Sequence, residues 1–296
     1  MHLSGSITAL ATPFSGAGEL DYDAFRRLVA AQLEAGTSAL VVAGSTGEAA
    51  ALSDDEYTRL LQVAVEAVAG RVPVLAGTGL SNTAKTIALT RHARDHGADA
   101  ALVVTPPYVR PTDEGLVAHY TAVAEQGGLP VVLYNVPGRT GCDMSPEVVA
   151  RLCGHENIIA LKEARGDEAR WQALYPLRGE GFSLLSGDDP TFVRALLGGG
   201  DGVISVASNV VPRAFARLCR LVGEGQGDQA RALDARLAGL YEFLGVEPNP
   251  IPVKALLALQ GIGQGLRLPL LPLSAAHAGA ARAMAALCEQ VESELK

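Results

Sequence analysis

Residues 130–162 read PVVLYNVPGRTGCDMSPEVVARLCGHENIIALK, and their reading decides the fold. The stretch opens on an apolar, β-branched run at 130–134 and closes on another at 158–162. Between them, Ser145 followed by Pro146 opens a helical stretch at 146–153. A serine side chain can cap the first free backbone N–H groups, and proline's fixed φ suits the first helical position. Two short strands flanking one helix form a unit whose strands run parallel. The same alternation recurs in both directions along the chain. Runs at 6–11, 39–43, 72–76, 100–104, 130–134, 158–162, 183–186 and 202–206 predict eight strands. Helical stretches at 21–34, 54–69, 82–96, 114–125 and 146–153 fall between them, and Ser53 before Asp54-Asp55-Glu56 marks a second capped start. Eight strands, each followed by a helical stretch, predict an α/β fold of the (β/α)8 TIM barrel type. A doubly wound sheet is the competing architecture, and the first strand-to-helix turn lacks its G-x-G-x-x-G. After about Val222 the strand signal stops, and 225–244, 252–260 and 274–295 read as helices. The expected organisation is a barrel over residues 1–224 with a C-terminal helical appendage over 225–296.

The 296-residue chain is 48% hydrophobic and 19% charged, which excludes disorder and collagen-like structure. A chain of this length buries roughly three quarters of its unfolded surface and needs no cross-links to hold a core. Its cysteines, Cys142, Cys153, Cys219 and Cys288, show no CxxC spacing and read as small buried hydrophobes in a reducing compartment. A net charge of −8 argues against nucleic acid or an anionic membrane as the main partner. Small anions remain compatible, because a few local cations reverse the potential inside one pocket. No apolar run approaches the roughly 18 residues of a membrane span. The opening MHLSGSITALATPF lacks the basic segment of a signal peptide, so a cytoplasmic location is expected.

In such barrels the chemistry lies at the C-terminal ends of the strands. The sixth strand, Ile158-Ile159-Ala160-Leu161-Lys162, carries a lysine there, and the fifth ends in Tyr134-Asn135. An amine stripped of water by apolar walls gives up its proton more readily and attacks carbonyl carbons. The second strand runs into Gly44-Ser45-Thr46-Gly47-Glu48, whose hydroxyls and backbone N–H groups suit a carboxylate or phosphate. The loop 136–141 brings Arg139 to the same rim, where a guanidinium can hold a carboxylate in bidentate fashion. Each has an ordinary reading alone: a snorkelling lysine, a mouth aromatic, a plain turn, a solvated cation. Together on one rim they describe a carbonyl site with an amine, a proton relay and carboxylate holders. The six histidines pair with no acids at metal-ligand spacing, and His92-x-x-x-His96 lacks the zinc-protease glutamate, so no metal is expected.

The motifs G-S-T-G-E at 44–48, Y-N-V-P-G-R-T-G at 134–141, K-E-A at 162–164 and L-S-G-D-D at 185–189 resemble the Schiff-base-forming class I pyruvate aldolase superfamily. Arg139 and V-E-P-N-P-I-P-V-K at 246–254 are similar to its dihydrodipicolinate synthase branch, and the resemblance covers nearly the whole chain. It implies condensation of pyruvate with L-aspartate 4-semialdehyde to 4-hydroxy-tetrahydrodipicolinate, in lysine and diaminopimelate biosynthesis, without a cofactor. By position, Lys162 would form the imine and Tyr134 would donate and accept the proton. Ser45 matches a relay hydroxyl that is usually threonine, and Tyr108 matches a relay tyrosine reaching across a tight dimer interface. Thr46 and the backbone at Ile204 match pyruvate contacts, and Arg139 matches the group binding the semialdehyde carboxylate. A homotetramer of two tight dimers is implied as well. Serine at 45 is commoner in the N-acetylneuraminate lyase branch, so that enzyme or a 2-keto-3-deoxy-sugar-acid aldolase is the alternative, with Arg139 against it. A catalytically silent pyruvate-binding protein would be expected to have lost the lysine or the tyrosine, and both are present. Lysine-inhibited relatives hold the end product at the tight-dimer interface. The matching positions here are Ala49, Tyr57, Ser81, Lys85 and Pro107, which implies insensitivity to L-lysine.

Overall fold

The computed structural model describes all 296 residues. Eight strands, β1 (Gly5–Ala9), β2 (Ala39–Val42), β3 (Val74–Gly77), β4 (Ala100–Val104), β5 (Val131–Asn135), β6 (Ile158–Glu163), β7 (Ser183–Ser186) and β8 (Gly202–Ser205), pair in sequence order. All pairs are parallel, and β8 returns to β1 to close the barrel. The expected (β/α)8 architecture is therefore the observed one. Helices α1 (Tyr22–Ala35), α2 (Asp54–Val68), α3 (Thr83–Asp95) and α4 (Asp113–Gln126) follow the first four strands. A single turn, α5 (Pro137–Thr140), and α6 (Pro146–Leu152) follow β5, so the loop expected at 136–141 contains one helical turn. The helices α7 (Glu168–Leu174), α8 (Phe192–Leu197) and α9 (Pro212–Gly223) complete the ring.

Both expected helix starts are capped. The Ser53 hydroxyl accepts from the Glu56 amide at 3.2 Å while Glu56 reaches back to the Ser53 amide at 2.9 Å, and Ser145 accepts from Val148. Beyond the ring lie α10 (Gly227–Arg236), α11 (Ala238–Leu244), α12 (Ile251–Leu259) and α13 (Ala278–Glu294). The helix expected over 225–244 thus breaks at buried Leu237, two residues before Gly239.

Strand side chains alternate between two cores. The inner one takes Ile7, Ala39, Leu75, Leu102, Val132, Ala160, Leu185 and Ile204, one or more residues from every strand, and fills the barrel. The outer one lies between strands and helices and runs without interruption into Leu240, Phe243, Val253, Leu256 and Val291 of the C-terminal helices. At about 1.5–3 kcal/mol per buried Leu or Val, this shared layer binds residues 225–296 firmly to the barrel wall. No helix is long and apolar enough to cross a membrane.

Candidate active site

Lys162 follows Ala160 on the inward face of β6 and ends the inner core at the barrel mouth. In-register pairing sets Lys162 opposite Tyr134 of β5, and its Nζ sits 4.3 Å from the centroid of the tyrosine ring. Both side chains are buried, at 5% and 7% exposure. The outward neighbours fix that register. Asn135 Nδ2 donates to both Glu163 oxygens at 3.1 Å, and Arg170 Nε donates to Glu163 at 2.7 Å. Burial raises the Glu163 carboxyl above its ordinary range, against the opposing pull of Arg170. Each strand therefore presents one reacting side chain inward and one polar clamp outward.

Room for the lysine comes from Gly187, just past β7. A Cβ there would meet Lys162 Cε at 2.8 Å and Cγ at 3.0 Å. The chain's other buried lysine, Lys254, is paired with Glu48, which leaves Lys162 as the buried amine without a carboxylate.

The loop after β2 forms the facing wall. The Gly47, Glu48 and Ala49 amides donate to the carbonyls of Gly44 and Ser45, while those of Ser45 and Thr46 have no protein acceptor. Two adjacent free N–H groups beside the buried Thr46 hydroxyl make a cradle for a carboxylate. The loop is held under strain, because Ala43 and Glu48 adopt φ of 53° and 51° in the left-handed region. Gly77 of β3 lets it come close, since a Cβ there would lie 2.1 Å from the Ala43 carbonyl oxygen.

The remaining expected residues are placed unequally. Ile204 is fully buried on β8 within the inner core. Ser45 stands exposed at the mouth. Arg139 is exposed on α5 and donates to the Asn249 carbonyl at 3.0 Å. Tyr108 is 92% exposed with a left-handed φ of 74°, outside the group that one chain brings together. Asn249, quoted in the 246–254 motif without a role, joins two of these groups. Its Nδ2 donates to Thr46 Oγ1 at 3.1 Å while its carbonyl takes Arg139. Asp189 is a second buried group that sequence reasoning left without a role. It accepts from the Val206 and Ala207 amides at 3.1 and 2.7 Å just past β8, and burial pushes its carboxyl up to about 6. Both lie in quoted motifs, 185–189 and 246–254, but nothing local in either motif gives the residue its partner.

The geometry matches known proteins closely. Residues 2–287 match the model of the dihydrodipicolinate synthetase family. The 4-hydroxy-tetrahydrodipicolinate synthase of Xanthomonas axonopodis pv. citri is 65% identical over 286 residues, which cover 97% of this chain and 95% of the relative. That of Stenotrophomonas maltophilia K279a is 62% identical over 281 residues, covering 95% of each chain. The dihydrodipicolinate synthase of Acinetobacter baumannii, solved in complex with pyruvate, superposes with a TM-score of 0.94 at 41% identity, covering 97% of this chain and 99% of its own. With a closed barrel, a buried lysine beside a tyrosine and matches along nearly its whole length, the chain belongs to the dihydrodipicolinate synthetase family.

Proposed function

We infer that the protein is an aldolase-type lyase that condenses pyruvate with L-aspartate 4-semialdehyde to give 4-hydroxy-tetrahydrodipicolinate, a step of lysine and diaminopimelate biosynthesis. The observation that carries this reading is Lys162, buried without a carboxylate at the C-terminal end of β6 against the Tyr134 ring. The lysine Nζ adds to the keto carbon of pyruvate and water leaves, giving an imine whose positive charge withdraws electrons from the methyl group. The methyl proton then departs and the resulting enamine carbon attacks the aldehyde. The semialdehyde's amino group closes the ring onto the imine carbon and displaces Lys162. Tyr134 passes the protons, and Ser45 and Tyr108 extend its relay, because a phenol alone is a weak base at neutral pH. The free Ser45 and Thr46 amides and the Thr46 hydroxyl hold the pyruvate carboxylate, with the backbone at Ile204 opposite. Arg139 holds the carboxylate of the second substrate.

Tyr108 completes the neighbouring site in a tight dimer, and two such dimers form a homotetramer. A 92%-exposed aromatic on a strained turn supports this reading, since such a side chain gains most from being covered. Residues 225–296 act as an appendage of the one barrel, because Asn249 and Lys254 both reach the mouth. The test supplies pyruvate and L-aspartate 4-semialdehyde together with dihydrodipicolinate reductase. NADPH consumption is the expected result. Its absence with folded protein, or faster cleavage of N-acetylneuraminate, would overturn the reading.

A further inference from the structure

The Glu48–Lys254 pair lies beneath the carboxylate cradle, and both side chains are almost wholly enclosed. Glu48 Oε1 binds Lys254 Nζ, and its Oε2 accepts the Arg267 amide at 3.2 Å. Lys254 Nζ also lies 4.2 Å from the centroid of Phe14, a ring that the Arg267 guanidinium approaches at 4.4 Å. Two residues before Glu48, Thr46 takes its bond from Asn249. The loop 44–48 is thus fastened at two points to the segment 249–254, more than 200 residues away in sequence.

We propose that Glu48 and Lys254 are positioning residues for the pyruvate carboxylate, holding the Ser45 and Thr46 amides in the conformation that receives it. The proposal rests on the cradle assigned under the function above. Two physical facts favour it over a purely structural role. A pair of apolar side chains of equal volume would fill the same space without the desolvation of two ions. An enclosed ion pair instead tolerates one register only, because any slip of the loop along α12 leaves two charges unpaired. Glu48 also occupies left-handed backbone, which a residue other than glycine keeps only when its surroundings impose it. Once the pair is gone, the loop has a less strained conformation to fall into, and the two amides turn with it.

The experiment compares the parent enzyme with Glu48→Gln/Lys254→Met, which removes both charges and leaves no ion buried alone. The expected result is a rise of about tenfold in the KM for pyruvate with kcat held within about threefold and the KM for the semialdehyde unmoved, the signature of lost binding without lost chemistry. Borohydride should still trap pyruvate on Lys162 at saturating concentration. Should the double variant fail to fold, Glu48→Gln alone carries the same expectation: it keeps the side chain's shape and one acceptor oxygen, and burial favours the uncharged form of a Lys254 that has lost its carboxylate. A lowered Tm with both kinetic constants unchanged would overturn the proposal, as would a fall in kcat at constant KM. No pyruvate adduct on the parent enzyme would overturn the function itself, and this proposal with it.

Discussion

Tyr134 and Lys162 sit on adjacent strands, buried and set in register, whereas Ser45, Tyr108 and Arg139 stand exposed on loops around the same mouth. The strand-borne pair is complete within one chain, because the hydrogen bonds that close the barrel also determine its geometry. The loop-borne groups depend on what fastens or covers them: Asn249 fastens Arg139, whereas Tyr108 has no cover within its own chain. In the function proposed above, the amine that would capture pyruvate is built into the scaffold, and the groups that would hold and process the substrates are added at the rim.

Lys162→Ala should produce the largest effect, a loss of turnover of at least about a thousandfold, with the borohydride-trapped pyruvate adduct gone. Mass spectrometry of the digest checks it, and an adduct on Lys85 or Lys254 would break the assignment of the reacting amine to the strands. Tyr108→Phe should lower turnover by about a hundredfold while leaving the adduct intact. Mixing it with Lys162→Ala subunits should restore activity, because each hybrid dimer then holds one site with both native groups. Gly187→Ala sharpens the comparison from the strand side. Its new Cβ would displace the Lys162 side chain, so adduct formation should slow by about 10- to 100-fold while Tm changes little. Arg139→Ala should raise the semialdehyde KM by about 10- to 150-fold, the equivalent of about 1.5–3 kcal/mol for a charged hydrogen bond. Pyruvate trapping should be untouched, and its loss would move Arg139 to the first substrate. The smallest expected effect is none at all, in a titration with L-lysine. Asn82 is spent capping α3 through the Lys85 amide and the Ser81 hydroxyl donates to Pro107, so half-inhibition below about 1 mM would reveal another binding set.

The same division governs what was legible in the sequence. The strands were, because a barrel strand is a short apolar run between turn signals, and 158–162 and 183–186 fall within a residue of β6 and β7. Lys162 and Tyr134 were visible for the same reason, as polar residues closing such runs. The break at Leu237 was not, since no proline stands there and a single glycine two residues on does not by itself end a helix. Gly187 passed unread because its role is the absence of a Cβ beside a side chain 25 residues earlier. Glu48 and Lys254 lay in motifs already singled out, yet nothing local joins positions so far apart. Side chains that act across the mouth have no period to betray them.

The fastening of the 44–48 loop by residues 249–254 also sets an order of events during synthesis. Ribosomes add about 5–20 residues per second, so roughly 2 to 10 seconds separate completion of β8 from the arrival of Lys254. All eight strands, with Lys162 on the sixth, are made before that interval begins. The two residues that fasten the 44–48 loop, Asn249 and Lys254, come only at its end. The last-made part of the polypeptide therefore acts as its certificate of completion: a chain interrupted before residue 249 has Lys162 but neither of the two contacts that fasten the 44–48 loop.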